Sequence, residues 1–252
     1  SNYYDKGILQ INFKSIDSKY TNNYILDPVD DIKVNGNKRL FLVNVTNNNS
    51  DVKTQKSGFA LLRIDKNHLI DSSFGKNGIV IIDDDLIAEY GGEVEIMNDG
   101  SYIVSARHRN GTSNGSTLFL YKFLINGSLD ENFGNNNGTI EIENSSSFSG
   151  HILKPAMYLD ESDNTYLAAI INRSIRRFKV DKTGLIDADF TENSTFQELD
   201  YGYSELRFFD IIRQGKNHLL YTYQLYSKFF FERTNLDGVI DSSFGVNGIA
   251  AT

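Results

Sequence analysis

Short apolar segments, separated by turn-forming residues, recur along the chain. The clearest set, rich in β-branched and aromatic residues, is Gly78–Ile82, Glu93–Ile96, Tyr102–Ala106 and Leu118–Phe123. The sequence Asn98-Asp99-Gly100 between two of these segments favours a tight turn between paired strands. Because each segment is short and none has a helical period, the pattern predicts four strands here and an all-β fold.

The same four-strand pattern returns in the other parts of the chain. The matching segments are Asp31–Val34, Leu40–Val43, Phe59–Leu62, Ala156–Leu159, Tyr166–Ile170, Ile175–Phe178, Phe208–Ile212, Leu219–Tyr223 and Lys228–Phe231. The chain is therefore expected to be an array of one supersecondary unit.

A sequence motif marks each unit of this array. Residues Leu69–Ile79 return almost letter for letter as Val239–Ile249, with weaker copies between them. The Asp-x-x-Phe cores of the four copies are Asp71 and Phe74, Asp130 and Phe133, Asp187 and Phe190, and Asp241 and Phe244. Four short antiparallel strands at this period are typical of a β-propeller blade. We expect a single domain over residues 1–252, with units at approximately 7–77, 78–137, 138–193 and 194–252 and about four four-stranded antiparallel blades.

The motif has a physical task at the corner of each unit. The Phe side chain can wedge between neighbouring sheets, and the Asp side chain can accept backbone N–H bonds within the turn. Gly75, Gly134 and Gly245 follow the Phe and allow the backbone angles that a corner needs. The third copy has Thr191 at this position, so its corner is expected to be less regular.

The motif Leu-Asp-x-x-Phe-Gly-x-x-Gly, preceded by Asp-Gly or Asn-Gly as in Asp237–Asp241 and Asn126–Asp130, resembles the bacterial delta-60 repeat. The resemblance covers nearly the whole chain. It implies a β-propeller from a bacterium, and it implies no catalytic residues, because the shared residues are architectural.

The number of strands that follow a corner exceeds the number of units by one. Tyr3–Ile11 aligns with Phe74–Ile82, and the chain ends on Gly248–Thr252, which is the same strand again. Four units thus have five copies of this strand. Either the extra strand adds to a sheet edge or the ring is open or incomplete, so the sequence leaves ring closure undecided.

Composition narrows the functional classes. The net charge of −8 argues against nucleic acid, which needs a basic groove, and no apolar run is long enough to span a bilayer. The chain has no Cys and starts at Ser1-Asn2 without Met. We expect an exported protein, periplasmic or outer-membrane-associated, whose signal segment is absent from this chain; a lipoprotein is the open alternative.

Candidate chemistry is sparse. The four histidines stand at no metal-ligand spacing and in no nucleophile motif, so we expect no catalytic, cofactor-binding or metal site. Acidic residues do fall on or beside the strands expected to be innermost, namely Asp31, Glu93, Glu95 and Asp210. They support a hydrolase acting in the channel as the less favoured alternative.

The fourth unit differs from the others in its aromatic residues. Tyr201 and Tyr203 precede the first predicted strand of this unit, and Tyr226 lies between two of its later predicted strands. We predict these three tyrosines as partner-binding residues. Of Phe229, Phe230 and Phe231, at least one must meet the opposite side of its sheet, because strand side chains alternate.

These observations favour a non-enzymatic scaffold for protein–protein interaction in the bacterial cell envelope. The expected partner is another envelope protein, and one concrete version is an accessory subunit that docks on an outer-membrane protein-export channel. The alternative from another class is a glycan-binding module, for which the tyrosines would supply stacking surfaces.

Overall fold

The computed structural model of the protein describes residues 3–5, 8–10, 24–47, 57–82, 87–109, 115–145, 154–171, 174–193, 206–225 and 227–252. Its strands are β1 (Tyr3–Asp5), β2 (Ile8–Gln10), β3 (Tyr24–Asn35), β4 (Lys38–Asn47), β5 (Ser57–Ile64), β6 (Ile79–Ile82), β7 (Ile87–Ile96), β8 (Tyr102–Arg109), β9 (Ser116–Phe123), β10 (Thr139–Ser145), β11 (Ala156–Leu159), β12 (Thr165–Ile171), β13 (Ser174–Val180), β14 (Leu206–Gln214), β15 (His218–Leu225), β16 (Lys228–Asn235) and β17 (Ile249–Ala251). A short helix, α1 (Ala188–Asn193), lies between β13 and β14.

The strands form consecutive antiparallel sheets, which confirms the all-β prediction. Sheet 1 is β3-β4-β5-β6, sheet 2 is β7-β8-β9-β10, sheet 3 is β11-β12-β13 and sheet 4 is β14-β15-β16-β17. Three of the four sheets thus have the predicted number of strands, although the strand at Gly78–Ile82, which the sequence pattern grouped with Glu93–Ile96, pairs in the preceding sheet. The fourth strand expected for sheet 3 begins at residues 194–196, which lie outside the described residues.

The corners form as the motif predicts. The backbone N–H of Ser73 donates to the Asp71 carboxylate at 3.1 Å, and that of Ser243 donates to Asp241 at 3.0 Å. Gly75, Gly134 and Gly245 all have positive φ, at 52°, 63° and 56°. These are left-handed conformations that a residue with a side chain rarely adopts.

The third corner differs because Thr191 cannot easily take a left-handed conformation. The chain instead continues into α1, for which Asp187 provides the N-terminal cap by accepting the N–H of Phe190 at 3.0 Å. The Thr191 N–H then donates to the Asp187 carbonyl at 3.2 Å, as in a helical turn. The predicted irregularity at this corner is therefore a six-residue helix.

The strand after each corner returns to the sheet that precedes it. β6 pairs with β5, β10 with β9 and β17 with β16. The N-terminal copy of this strand, β2, forms a hairpin with β1 in which Asp5 pairs with Ile8. The equivalent pairs at two other corners are Lys76 with Ile79 and Val246 with Ile249, so the N-terminus repeats the corner turn. The surplus copy of the strand is thus the N-terminal one.

Three hydrophobic cores join the sheets in chain order. Leu42 and Phe59 of sheet 1 share a core with Val104 of sheet 2. The opposite face of sheet 2 packs on sheet 3, and the opposite face of sheet 3 packs on sheet 4. The first strands of the sheets, β3, β7, β11 and β14, also pack each against the next. Within the described residues, no hydrophobic core joins sheet 4 to sheet 1.

Candidate docking surface on the fourth sheet

A basic residue eight positions before each motif Asp forms an ion pair with it. The pairs are Arg63–Asp71 at 2.9 Å, Lys122–Asp130 at 2.9 Å, Lys179–Asp187 at 3.1 Å and Arg233–Asp241 at 2.8 Å. In each Asp, Oδ1 accepts the turn N–H and Oδ2 receives the cation. Sequence reasoning missed the basic residue, although the spacing is the same in all four copies.

These contacts lower the pKa values of the motif carboxyl groups. Burial alone would raise the pKa of Asp130, but the hydrogen bond and charge of Lys122 and the turn N–H of Asn132 outweigh it and lower that pKa. The balance at Asp71 is similar, with Lys38, Ser73 and Arg63 holding its pKa well below the ordinary value. The carboxylates are therefore ionised over the whole physiological pH range.

The corner of one sheet docks on a turn of the next sheet. The Gly75 N–H donates to the Asn126 carbonyl at 2.7 Å, and the Gly134 N–H donates to the Thr183 carbonyl at 2.8 Å. Arg63 extends the first junction by donating to the Ile125 carbonyl and to the Tyr102 hydroxyl. Each junction therefore combines an apolar wedge with hydrogen bonds to backbone carbonyls of the receiving turn.

The receiving turns need glycine for this contact. A Cβ at Gly127 would lie 2.9 Å from the Gly75 nitrogen, and a Cβ at Gly184 would lie 2.7 Å from the Gly134 nitrogen. The equivalent residue of sheet 1 is His68, whose φ is 63° and whose side chain is exposed. The turn of sheet 1 therefore carries a side chain where the receiving turns of sheets 2 and 3 carry none.

Sheet 4 carries the corner residues of a junction on a face that is incompletely covered. Arg233 lies over the Phe244 ring at 4.6 Å, as Arg63 lies over Phe74 at 4.5 Å. Phe74 and Phe133 are 0% and 1% exposed, whereas Phe244 is only half-buried. The strand register places a set of side chains on the same side as Arg233, and we call this set the outer face of sheet 4: Asp210, Ile212, Leu220, Thr222, Gln224, Phe229, Phe231, Arg233 and Phe244.

The outer face is more exposed than its counterparts. Ile212 is 46% exposed and Phe229 is 45% exposed. The residue of sheet 1 that matches Phe229 is Phe59, which is 1% exposed in the core shared with sheet 2. The outer face thus carries apolar residues of the kind that pack between sheets elsewhere in the chain, but two of its large apolar side chains are exposed.

The aromatic residues of the fourth unit divide between the two faces as alternation predicts. Phe230 stacks on Tyr223 at 5.3 Å on the side of the shared core, and its neighbours Phe229 and Phe231 point the other way. This confirms that the three Phe residues do not share one side. The predicted partner-binding residues Tyr201, Tyr203 and Tyr226 lie outside the described residues.

Two of the four inner-strand acids take part in contacts between sheets. Glu93 accepts the Met157 N–H of sheet 3 at 2.8 Å, and Glu95 pairs with Lys33 of sheet 1 at 3.0 Å. The Asp210 carboxylate accepts the N–H of its neighbour Ile211 at 2.8 Å. The side chain of Asp31 lies outside the described part of the structure. Across the described ranges, no group of three or more His, Cys, Asp or Glu residues could hold a metal ion, and no helix is long and apolar enough to cross a membrane.

A buried ion pair connects sheets 3 and 4. Arg177 donates to Glu232, both side chains are fully buried, and the guanidinium lies over the Tyr221 ring at 4.6 Å. Burial raises the pKa of Glu232 despite the opposing charge of Arg177. Burial likewise raises the pKa of Tyr221 to about 12. The pair lies within the packed core and is not open to a substrate.

The histidines make ordinary structural contacts. His108 is buried and meets the Tyr121 hydroxyl at 2.6 Å. His218 lies 3.2 Å from Asp241, and His68 lies 3.2 Å from Arg39. His151 is outside the described residues. No two of the three described histidines act together at one site.

Comparison with known proteins identifies no family. No family model matches the chain, and no curated protein matches it. Among solved structures, the chain is similar to prolyl oligopeptidase B from Galerina marginata, with a TM-score of 0.39, 10% identity and coverage of 80% of this chain and 25% of that one. It is also similar to extracellular domains 1-2 of Drosophila Semaphorin 1a, with a TM-score of 0.38, 8% identity and coverage of 82% and 56%. A third structure is the β-propeller domain of the Trilobed protease from Pyrococcus furiosus, with a TM-score of 0.36, 10% identity and coverage of 86% and 65%. The chain spans about a quarter of the length of the prolyl oligopeptidase chain that it matches.

Proposed function

We propose that the chain is a β-propeller-type scaffold whose function is to bind another protein through the outer face of sheet 4. The propeller arrangement is supported by the repeated four-stranded unit and by the first strands β3, β7, β11 and β14, which pack in succession. One observation supports the docking role most strongly. The outer face has the residues of a sheet junction, yet Phe244 is half-buried where Phe74 and Phe133 are buried.

The chemistry of this face suits a protein partner. Phe229, Phe231 and Ile212 provide apolar area, and burying one such side chain contributes about 1.5–3 kcal/mol. Arg233 at the edge of the face can donate to backbone carbonyls, as Arg63 does at the first junction. Aromatic and Arg side chains of this kind are enriched among residues that dominate binding energies.

The proposed location is the bacterial cell envelope, with an outer-membrane protein-export channel as the proposed site of docking. The bacterial origin rests on the resemblance of the motif to the delta-60 repeat, and the docking site is inferred from the shape of the fold and the proposed compartment. Cell fractionation with an antibody to the native protein tests the location. Recovery of the protein from the cytoplasm would contradict it.

The docking role is tested by substitution on the face. Ile212→Asp places a charge on the outer face, whereas Val34→Asp places one on β3, where Val34 is 63% exposed. We expect Ile212→Asp to abolish cross-linking of the native protein to its partner in cells and Val34→Asp to leave it unchanged. Equal cross-linking by the wild type and both variants would contradict the proposal, and binding to a glycan array that survives Ile212→Asp would favour the glycan alternative.

A further inference from the structure

Asn-Gly pairs recur along the chain and differ in how firmly their backbone is held. The pairs whose asparagine the structure describes are Asn35-Gly36, Asn77-Gly78, Asn126-Gly127, Asn137-Gly138 and Asn247-Gly248. Asn110 and Asn114 also precede glycine, and both lie outside the described residues. In such a pair the unhindered glycine nitrogen can attack the asparagine side-chain carbon, provided that the backbone lets the two atoms approach. The reactivity of each pair therefore depends on its turn.

Three of the pairs are held by a hydrogen bond from the glycine. In each of them the glycine N–H donates to a backbone carbonyl: Gly78 to Phe74 at 2.7 Å, Gly127 to Leu124 at 2.8 Å and Gly248 to Phe244 at 2.8 Å. Asn77 and Asn247 are also fixed in a left-handed conformation, with φ of 55° and 53°. The nitrogen of these glycines can reach the asparagine side chain only when the turn opens.

The pair Asn137-Gly138 is held by other contacts. The Asn137 side-chain oxygen accepts the N–H and the hydroxyl of Thr139 at 3.0 and 2.9 Å. The Gly138 carbonyl accepts the Lys122 N–H at 2.9 Å, and a Cβ at Gly138 would lie 2.7 Å from the Leu129 Cβ. Both members of this pair are therefore restrained as well.

The pair Asn35-Gly36 lies in a turn without such restraints. Asn35 pairs with Lys38 at the end of the hairpin of β3 and β4, and Gly36 lies in the turn between them. Gly36 is exposed, and in the described part of the chain no atom lies within 4 Å of a Cβ added to it. The hydrogen bonds of the described residues include none from the Gly36 N–H. Rearrangement of this pair thus disturbs only the exposed end of one hairpin.

We propose that Asn35 is a site of spontaneous deamidation in the folded protein, with Gly36 as the attacking residue. The Gly36 nitrogen forms a bond to the Asn35 Cγ, the bond from Cγ to Nδ2 breaks, and ammonia leaves with the Gly36 amide proton. Solvent water then opens the resulting succinimide at either carbonyl, which gives aspartate or isoaspartate. The net reaction consumes one water molecule and replaces the amide by a carboxylate. The reaction is independent of the docking role of sheet 4.

The new carboxylate would lie at the junction of sheets 1 and 2. The Asn35 Nδ2 lies 3.8 Å from the position of a Cβ on Gly100, in the first turn of sheet 2. Burial would raise the pKa of the preceding Asp99, but the hydrogen bonds from Ser101 outweigh it and lower that pKa, so this turn already carries a negative charge.

The nearby cations of the hairpin are already paired. Lys33 pairs with Glu95 at 3.0 Å, and Lys38 pairs with Asp71 at 2.8 Å. A second negative charge beside Asp99 is therefore unfavourable. Isoaspartate would also add a methylene to the main chain next to the pair of Asn35 and Lys38. Deamidation should thus weaken the junction between the first two sheets.

The experiment compares the full chain folded in buffer with the full chain unfolded in urea, both incubated at mildly alkaline pH. Peptide mapping by mass spectrometry measures the loss of each asparagine and separates the aspartate and isoaspartate products. We expect the described pairs to react at similar rates in urea. In the folded protein, Asn35 should react at least about tenfold faster than any of the other four. Reaction of Asn35 no faster than that of Asn77, Asn126, Asn137 or Asn247 in the folded protein would overturn the proposal.

Substitutions in the same turn provide the matched controls. Asn35→Gln should remove the early product, because glutamine would have to form a larger ring, whereas Asn37→Gln should leave it unchanged. Asn35→Asp reproduces one product and should lower the urea midpoint more than Asn37→Asp at the exposed position of the same turn. Circular dichroism checks that each variant is folded. Equal midpoints of the two aspartate variants would overturn the inferred effect on the junction.

Discussion

At the residue scale, the motif Asp performs two tasks with its two oxygens. Oδ1 of Asp71 holds the turn by accepting from Ser73, and Oδ2 receives Arg63 from the preceding strand. The same division holds at the other three copies. The Asp thereby connects the corner to the strand before it, which explains why it recurs in all copies while the two residues after it vary.

Replacing this carboxylate by an amide separates the two tasks. Asp130→Asn keeps an oxygen for the turn N–H of Asn132 but leaves the buried ammonium of Lys122 without its counter-charge. We expect a loss of about 2 kcal/mol in the free energy of unfolding, measured by urea denaturation. The matched control is Glu131→Gln at the exposed next residue, which should change stability by less than about 0.5 kcal/mol. Equal effects of the two substitutions would show that the ion pair contributes nothing.

The lowered pKa values predict the pH dependence of stability. All four motif Asp residues have folded pKa values below the ordinary value, so the folded state binds their protons less tightly than the unfolded state does. The contribution of these four carboxylates to the free energy of unfolding is complete above about pH 4 and is lost as the pH falls through the folded pKa values. Glu232, whose pKa is raised, acts in the opposite sense but is a single group. We expect the urea midpoint to fall below pH 4, and the difference between wild type and Asp130→Asn to shrink there. A constant difference down to pH 2 would contradict this assignment.

The sequence predicted the role of Asp at the turn but not its ionic partner. Turn formation is local, so the order Asp-x-x-Phe-Gly is enough to indicate it. Arg63 and Asp71 are eight residues apart, and they meet only because the chain passes through a turn and returns to the edge of its strand. Alignment of the four repeats alone would have shown a basic residue at this spacing each time.

At the scale of the elements, the junction between sheets depends on the absence of a side chain at the receiving turn. Gly184 has a φ of 95° and lies against the backbone of Gly134. Gly127 has the same relation to Gly75 in the preceding junction. Strand positions follow from local patterns, and within the described residues the predicted segments all overlap observed strands, although β3 and β7 begin six or seven residues before the predicted segments. This contact between distant turns is not local, so the sequence pattern around Gly127 did not indicate it.

Two glycine substitutions can separate backbone strain from loss of the junction. Gly184→Ala introduces both a strained φ and a Cβ that would lie 2.7 Å from the Gly134 nitrogen. Gly215→Ala introduces only the strain, since its φ is 62° and no atom lies within 4 Å of the added Cβ. We expect Gly215→Ala to cost about 1 kcal/mol and Gly184→Ala at least about 2 kcal/mol more in urea unfolding. Similar losses for both would mean that the junction adapts to a methyl group.

The buried ion pair between sheets 3 and 4 allows another test of a junction. Glu232→Gln leaves Arg177 buried without a counter-charge and should destabilise the protein by about 3–5 kcal/mol. The double variant Arg177→Met with Glu232→Leu removes both charges and fills a similar volume, so it should recover most of that loss. Urea unfolding of the two variants and of Arg177→Met alone completes the comparison. If the double variant were as unstable as Glu232→Gln, the pair would contribute by its shape or its contact with Tyr221.

At the scale of the whole molecule, the first and last sheets of the array differ. The count of five post-corner strands for four units indicated that one strand had no place in a closed ring, and the structure identifies the N-terminal β2 as the extra copy. Whether the last sheet packs on the first depends on contacts between residues far apart in sequence. The replacement of a turn glycine by His68 is a local signal that the turn of sheet 1 differs from those of sheets 2 and 3, and its meaning became clear only from the positions of Gly127 and Gly184.

Unequal covering of the sheets predicts unequal resistance to local unfolding. β8 and β9 of sheet 2 are packed on both faces, by sheet 1 and by sheet 3. In sheet 4, β15 shares a core with sheet 3 and β16 meets sheet 3 through the Arg177–Glu232 pair, and among the described residues no core covers the opposite face of these two strands. In stacked repeats, stability is close to a sum of unit terms and neighbour terms, so a sheet with one neighbour opens more readily. We expect the amide hydrogens of β15 and β16 to exchange at least about tenfold faster than those of β8 and β9 in dilute solution, measured by mass spectrometry. Equal exchange in both sheets would mean that the array opens only as a whole.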